Sequence, residues 1–205
     1  MKLFKEYAVK IIKTWMRLVI IVAASSLIAP FASSEEIALG DTNAPVTLIE
    51  YGSLTCSNCV KFHKRVFPRI QERYIDAGTV RFIYRHFPTS DAAVHGAVAA
   101  QCAGEKFYEM LDELYSSVAV WHKAENRDSI FVQQATLLGM NSDAFSLCLG
   151  NKNNLDDIVR QQQSARKDFD VTGTPTFVIN GKVVRGNKSF VEMKALINEA
   201  INKDS

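Results

Sequence analysis

No repeat runs through the 205 residues, no segment is of low complexity, and no apolar stretch reaches the roughly 20 residues that a membrane-spanning helix needs. Repeat architectures and biased, disordered chains are thereby excluded. With 47% hydrophobic and 22% charged residues, the chain can bury a full core and fits one folded unit with room for an insertion. The one linker-like stretch rich in Gly, Asn and Pro, Leu39 to Pro45, leads straight into a strand-like run.

Residues 1–34 stand apart from that unit. Lys2, Lys5, Lys10, Lys13 and Arg17 precede an apolar stretch from Leu18 to Phe31, and the small residues Ala32, Ser33 and Ser34 follow it. This order is that of a secretory signal peptide. Ser25, Ser26 and Pro30 interrupt the apolar stretch and argue against a permanent anchor, so cleavage near Ser34 is expected, with an uncleaved membrane tether as the alternative. Taking the five basic and one acidic residues of this segment from the totals of 24 and 22 leaves 19 basic against 21 acidic. Such a chain has no basic surplus with which to bind nucleic acid.

Export changes the meaning of the four cysteines, Cys56, Cys59, Cys102 and Cys148, because thiols outside the cytosol tend to be oxidised. Two disulfides are the default reading. A zinc site would need a second pair of ligands at close spacing, and neither Cys102 nor Cys148 has a Cys or His neighbour in sequence.

Val46 to Tyr51 reads as a strand, and a helix is expected from about Cys56 to Tyr74, with Val60, Phe62, Val66, Phe67 and Ile70 on its apolar stripe. Val80 to Phe87 alternates as a second strand that Pro88 ends. Strand, helix, strand in this order implies a βαβ unit with a right-handed crossover. From Asp91 to about Lys167 the spacing is helical throughout, enough for four or five helices. Two β-rich runs joined by Asn180-Gly181 then signal a hairpin, and Phe190 to Asn202 reads as a closing helix. Strands at both ends with helices between them imply an α/β sheet interrupted by an all-helical insertion.

Cys56 and Cys59 fall where the first strand gives way to the first helix. Unpaired backbone N–H groups and the helix dipole favour negative charge there, so Cys56 is expected to be a stabilised thiolate. Cys59, one turn further on, projects to the same face and feels the dipole less. Cys56 is then the attacking and departing sulfur, and Cys59 the resolving one. A static disulfide or half of a metal site are the alternatives, but so small a loop adds little stability. Further on, Thr174-Pro175 stands directly before a strand, where a proline is either cis in a tight turn or an ordinary trans residue at a strand start.

Taken together, Cys56-Ser57-Asn58-Cys59, the preceding "NAPVTLIEYGSLTC", the strand "VRFIYRHFP", the helical stretch and "TGTPTFVINGK" resemble the DsbA-like branch of the thioredoxin superfamily. The resemblance implies a thioredoxin fold with an inserted all-helical domain. Its parts would be a signal peptide (1–34), a first thioredoxin-fold portion (35–90), the insertion (91–167) and a second portion (168–205) with the proline loop, hairpin and last helix. It further implies that Pro175 is cis beside the nucleophilic sulfur, that Thr174 touches substrate, and that the chain oxidises dithiols in the periplasm without a cofactor or metal. Reduced secreted or periplasmic proteins would be its substrates, and a DsbB-like membrane protein would reoxidise it. Ser57-Asn58 departs from the Pro-His common in strong oxidases, which leaves the redox potential to measurement.

Similar proteins keep a buried acid beneath the cysteines, and Glu50 is the candidate, with Arg85 as a candidate partner; the alternative for Glu50 is an exposed strand carboxylate. His63 reads as a solvated helix histidine, and Trp121, with Val118 and Val120, as core of the insertion rather than a peptide-binding rim. Cys102 and Cys148 are either two buried thiols or, as export favours, a structural disulfide closing the insertion. The expected function is that of a monomeric dithiol oxidase. The alternatives are a disulfide isomerase or reductase, for whose usual oligomerisation region the roughly ten residues between Ser34 and Val46 leave no room, and a thiol metal-handling protein.

Overall fold

The computed structural model describes residues 36–203, so the signal peptide expected over residues 1–34 lies outside the described part. Five strands form one sheet: β1 (Ala38–Leu39), β2 (Val46–Gly52), β3 (Val80–His86), β4 (Thr176–Ile179) and β5 (Lys182–Arg185), in the order β1-β3-β2-β4-β5. Only β2 and β3 run parallel; the other neighbours are antiparallel. Helices α1 (Ser57–Arg65) and α2 (Phe67–Ile70), followed by a π-helical turn at Gln71–Ile75, cross from β2 to β3.

The single helix expected from Cys56 to Tyr74 is thus broken at Val66, whose φ of −112° departs from the regular helical value although its ψ of −49° stays in the right-handed range. Pro68 gives the reason, because it has no N–H to donate to the carbonyl of Lys64 and restarts the helix as an N-terminal residue. Between β3 and β4 lie α3 (Asp91–Cys102), a 3-10 turn at Gly104–Lys106, α4 (Phe107–Ser116), α5 (Val118–Trp121), α6 (Arg127–Leu137), α7 (Ser142–Leu149) and α8 (Lys152–Phe169). The described segment therefore carries six α-helices where four or five were expected. The short α5 starts directly after the end of α4 at Ser117, a break that helical periodicity does not register. Helix α9 (Phe190–Lys203) closes the chain, and none of the described helices is long and apolar enough to cross a membrane.

Nearly all of β2 is buried, because both faces of the sheet are covered. Side chains alternate along it. Leu48 packs with Phe82, Phe62, Phe177, Met193 and Ile197 on one face, whereas Ile49 and Tyr51 pack with Ile83, Ala165 and Val171 on the other. Glu50, two residues from Leu48, therefore points into the first cluster and is fully buried. The Asn180-Gly181 turn has positive φ at both residues, 42° and 83°, as a tight right-twisted hairpin requires.

Candidate functional site

Cys56 is the N-cap of α1, with an extended backbone (φ −75°, ψ 119°) that turns the chain from β2 into the helix. When protonated, its thiol donates to the Thr174 carbonyl at 3.3 Å. The pKa of Cys56 is lowered from the usual thiol range to about 5, chiefly by the hydrogen bond from the Cys59 thiol. The Thr174 hydroxyl and the N–H groups of Cys59 and Asn58 add to this, against an opposing contribution from partial burial. Neither N–H closes a formal cap hydrogen bond, so their help is electrostatic, that of a helix N-terminus acting on an anion. Cys56 is partly exposed, Cys59 is fully buried, and both are free thiols.

Cys59 differs in every respect. Burial pushes its thiol far above the usual range, the hydrogen bond it gives to Cys56 and the charge of Glu50 push the same way, and only the Ser53 N–H opposes. One sulfur is therefore an anion at neutral pH and partly exposed, while its neighbour is protonated and hidden.

Beneath Cys59, the Glu50 Oε2 accepts a 2.9 Å hydrogen bond from the His63 Nε2, with both side chains buried. His63 is thus not the solvated histidine expected. Cys59, Phe62, His63 and Val66 recur at i, i+3, i+4 and i+7, which sets His63 in the middle of the buried stripe, and that spacing was the signal that could have found it. Arg85 is not its rival for Glu50. Register pairs Glu50 with Tyr84, so Arg85 points to the opposite face, where its guanidinium donates to the Tyr51 hydroxyl at 2.7 Å. Sequence reasoning also missed the buried Tyr84 and Tyr115, whose hydroxyls meet at 2.9 Å beside His63.

The Thr174-Pro175 bond is cis, and its loop is tied down by the Thr176 hydroxyl donating to the Gly173 carbonyl at 2.7 Å and the Gly186 N–H donating to the Pro175 carbonyl at 2.9 Å. These bonds hold the Thr174 carbonyl against Cys56, so residues 118 positions apart share one site. Away from it, Cys102 in α3 and Cys148 in α7 are bonded to one another with 5.8 Å between their Cα atoms. Trp121 is fully buried and stacks edge-on against Phe131, whereas Val120 is exposed.

The described residues hold no group of three or more His, Cys, Asp or Glu side chains suited to a metal ion. What the arrangement can do is exchange a thiol for a disulfide: an exposed low-pKa sulfur, a buried partner within hydrogen-bond reach, and a carbonyl edge beside them.

The thioredoxin family model matches residues 32–199. Alpha-DsbA1 of Wolbachia pipientis is 31% identical and superimposes with a TM-score of 0.76 over 83% of this chain and 93% of its own. A Bacillus cereus relative named for disulfide bond formation (protein D) is 28% identical over 84% of this chain and 82% of its own. A Rickettsia conorii relative named as a protein-disulfide oxidoreductase is 24% identical over 82% of this chain, which spans 61% of that protein's length. The chain belongs to the DsbA-like thiol:disulfide oxidoreductase family of the thioredoxin superfamily.

Proposed function

We propose that this protein is an exported, monomeric dithiol oxidase that passes a Cys56–Cys59 disulfide to reduced proteins outside the cytosol and needs no cofactor or metal. A single observation carries the reading: Cys56 is held as a thiolate, with its pKa lowered to about 5, beside a buried Cys59 whose thiol resists ionisation. In the oxidised protein, a substrate thiolate attacks the accessible Cys56 sulfur, the Cys56–Cys59 bond breaks, and Cys59 leaves as a thiolate that takes up a proton. A second substrate thiolate then attacks the substrate sulfur of the mixed disulfide and expels Cys56. Two electrons have moved from the substrate dithiol to the cysteine pair, and the departing Cys56 is the sulfur that best carries the charge.

The Thr174 carbonyl beside Cys56, at the edge of the cis-Pro175 loop, is placed to accept an N–H from an extended substrate strand. Return to the disulfide needs an electron acceptor, for which a DsbB-like membrane protein is the proposed partner. The signal-like segment 1–34 supports a periplasmic location.

Mixing the oxidised protein with a reduced two-cysteine peptide tests this. One peptide disulfide should form per protein, Cys56→Ala should abolish the transfer, and light scattering should report a monomer. Efficient reshuffling of a scrambled substrate by a stable dimer would instead make the protein an isomerase.

A further inference from the structure

The buried pair beneath the cysteines has an asymmetry that the proposed exchange reaction can use. Glu50 presents two carboxylate oxygens, of which Oε2 is bonded to His63 and Oε1 is buried with no hydrogen-bond partner among the described residues. His63 is equally fixed: its ring stacks on Tyr115 with centroids 4.2 Å apart and 17° between planes, and meets Tyr84 edge-on at 5.8 Å and Phe67 at 5.0 Å. Its Nδ1 is also buried without a partner. An imidazole packed this way has no room to rotate, and the hydrogen bond it makes to Oε2 fixes the carboxylate plane as well.

We infer that His63 is a positioning residue for proton exchange at Cys59, donating from Nε2 to Glu50 Oε2 so that Oε1 remains the oxygen that gives a proton to, and takes one from, the Cys59 sulfur. The inference rests on the dithiol chemistry proposed above. When the Cys56–Cys59 bond breaks, a proton on Oε1 passes to the Cys59 thiolate and leaves a Glu50 carboxylate that His63 continues to hydrogen-bond. When Cys59 attacks a mixed disulfide on Cys56, the proton returns from Cys59 to Oε1, a new Cys56–Cys59 bond forms, and the substrate thiolate leaves. His63 keeps the same Nε2–H tautomer throughout, so its packed ring never has to turn. Without this donor, the buried carboxylate would lose the hydrogen bond that stabilises its charged form, and it would become a poorer base for Cys59.

The titratable groups facing the pair do not compete for this role. Tyr84 on β3 and Tyr115 on α4 are fully buried and held neutral as phenols, chiefly by burial. Asp112, also on α4, is pushed above the usual carboxylate range chiefly by burial and has no hydrogen bond to His63, and Cys56 and Cys59 at the start of α1 are the reacting groups themselves. Among the described residues no Lys or Arg pairs with Glu50, whose ionic partner there is His63.

The test is the resolving step measured alone: the rate at which a glutathione mixed disulfide on Cys56 collapses to the Cys56–Cys59 disulfide, followed from pH 5.5 to 9. The wild-type rate should vary little across neutral pH. His63→Leu should be at least about tenfold slower at pH 7 and should climb toward wild type by pH 9. His63→Gln, whose amide can still donate to Oε2, should restore most of the rate and the shallow profile. If His63→Leu is slowed by the same factor at every pH, or not slowed, or if His63→Gln behaves like His63→Leu, the inference is wrong. Should His63→Leu fail to fold, Glu50→Gln takes its place: it must acquire the steep profile while His63→Gln does not. Failure of Cys56 to form the mixed disulfide at all would sink the dithiol reading instead, which keeps the two outcomes apart.

Discussion

Removing the Cys102–Cys148 bond tests how the inserted helices are held. The two residues are 46 apart in sequence, so the bond closes a loop that contains α4, α5 and α6 and most of α7. For a loop of that size, the chain-entropy argument gives a stabilisation of roughly 4 kcal/mol. Cys102→Ala with Cys148→Ala also removes two sulfurs that touch the Asn154 amide at 3.6 and 3.1 Å, although that amide keeps its 2.8 Å bond to the Cys148 carbonyl. The loss of the sulfur contacts is therefore small beside the entropy. At about 2–4 °C per kcal/mol for a domain of this size, the double variant should melt roughly 8–16 °C below the wild type. Calorimetry on both proteins with Cys56 and Cys59 alkylated, so that only the second bond differs, gives the comparison. Peptide mapping of the wild type checks that the bond is present. A variant that melts within about 2 °C of the wild type would refute the entropic argument, because α3 and α7 would then be held together by packing alone.

Three further outcomes are expected. A brief iodoacetamide pulse at about pH 5 on the reduced protein should label Cys56 and spare Cys59, as mass spectrometry would show; equal labelling would contradict the thiolate assignment. Thr174→Val, which keeps the shape and the carbonyl but removes the hydroxyl, should raise the Cys56 pKa and make the disulfide a weaker oxidant against glutathione, whereas an unchanged constant would remove Thr174 from the site. Burial lowers the pKa of His86 from 6.5 to about 3, so the folded protein keeps it neutral while the unfolded chain protonates it. That stability is present above about pH 6.5 and is lost as pH falls toward 3, with roughly 2 kcal/mol gone by pH 5. His86→Phe should flatten this part of the pH dependence in urea titrations, and an unaltered slope would show that other groups cause it.

Much of this was legible in the sequence for physical reasons. Strands buried on both faces read as apolar runs, Asn180-Gly181 can hardly be anything but a tight turn, and two cysteines where a strand feeds a helix declare an anion-favouring site. What was not legible lay either below the length at which periodicity speaks or in contacts between distant elements. β1 has only two residues and owes its place to pairing with β3 and to the Tyr108 hydroxyl, which donates to the Ile37 carbonyl at 3.0 Å. The helical spacing of Cys59, Phe62, His63 and Val66 marks His63 as buried, but nothing local says that a carboxylate from β2 will meet it there. Arg85 carries the charge that would suit Glu50 but not the face: one residue of offset in register turns it to the other side of the sheet.

The equilibrium between this protein and glutathione at pH 7 is the measurement that bears most directly on the central claim. Lowering the Cys56 pKa from 9.0 to about 5 favours the reduced form. Without screening, the effect at pH 7 is about 2.7 kcal/mol. Because Cys56 is partly exposed, solvent screening reduces this to about half, or about 30 mV in potential. The Cys59 thiol is protonated at pH 7 with or without its upward shift and adds almost nothing, so the account predicts a potential above that of thioredoxin, toward the range of disulfide donors. A value at or below the roughly −270 mV of thioredoxin would mean that the pair is built to reduce disulfides, and would contradict the account.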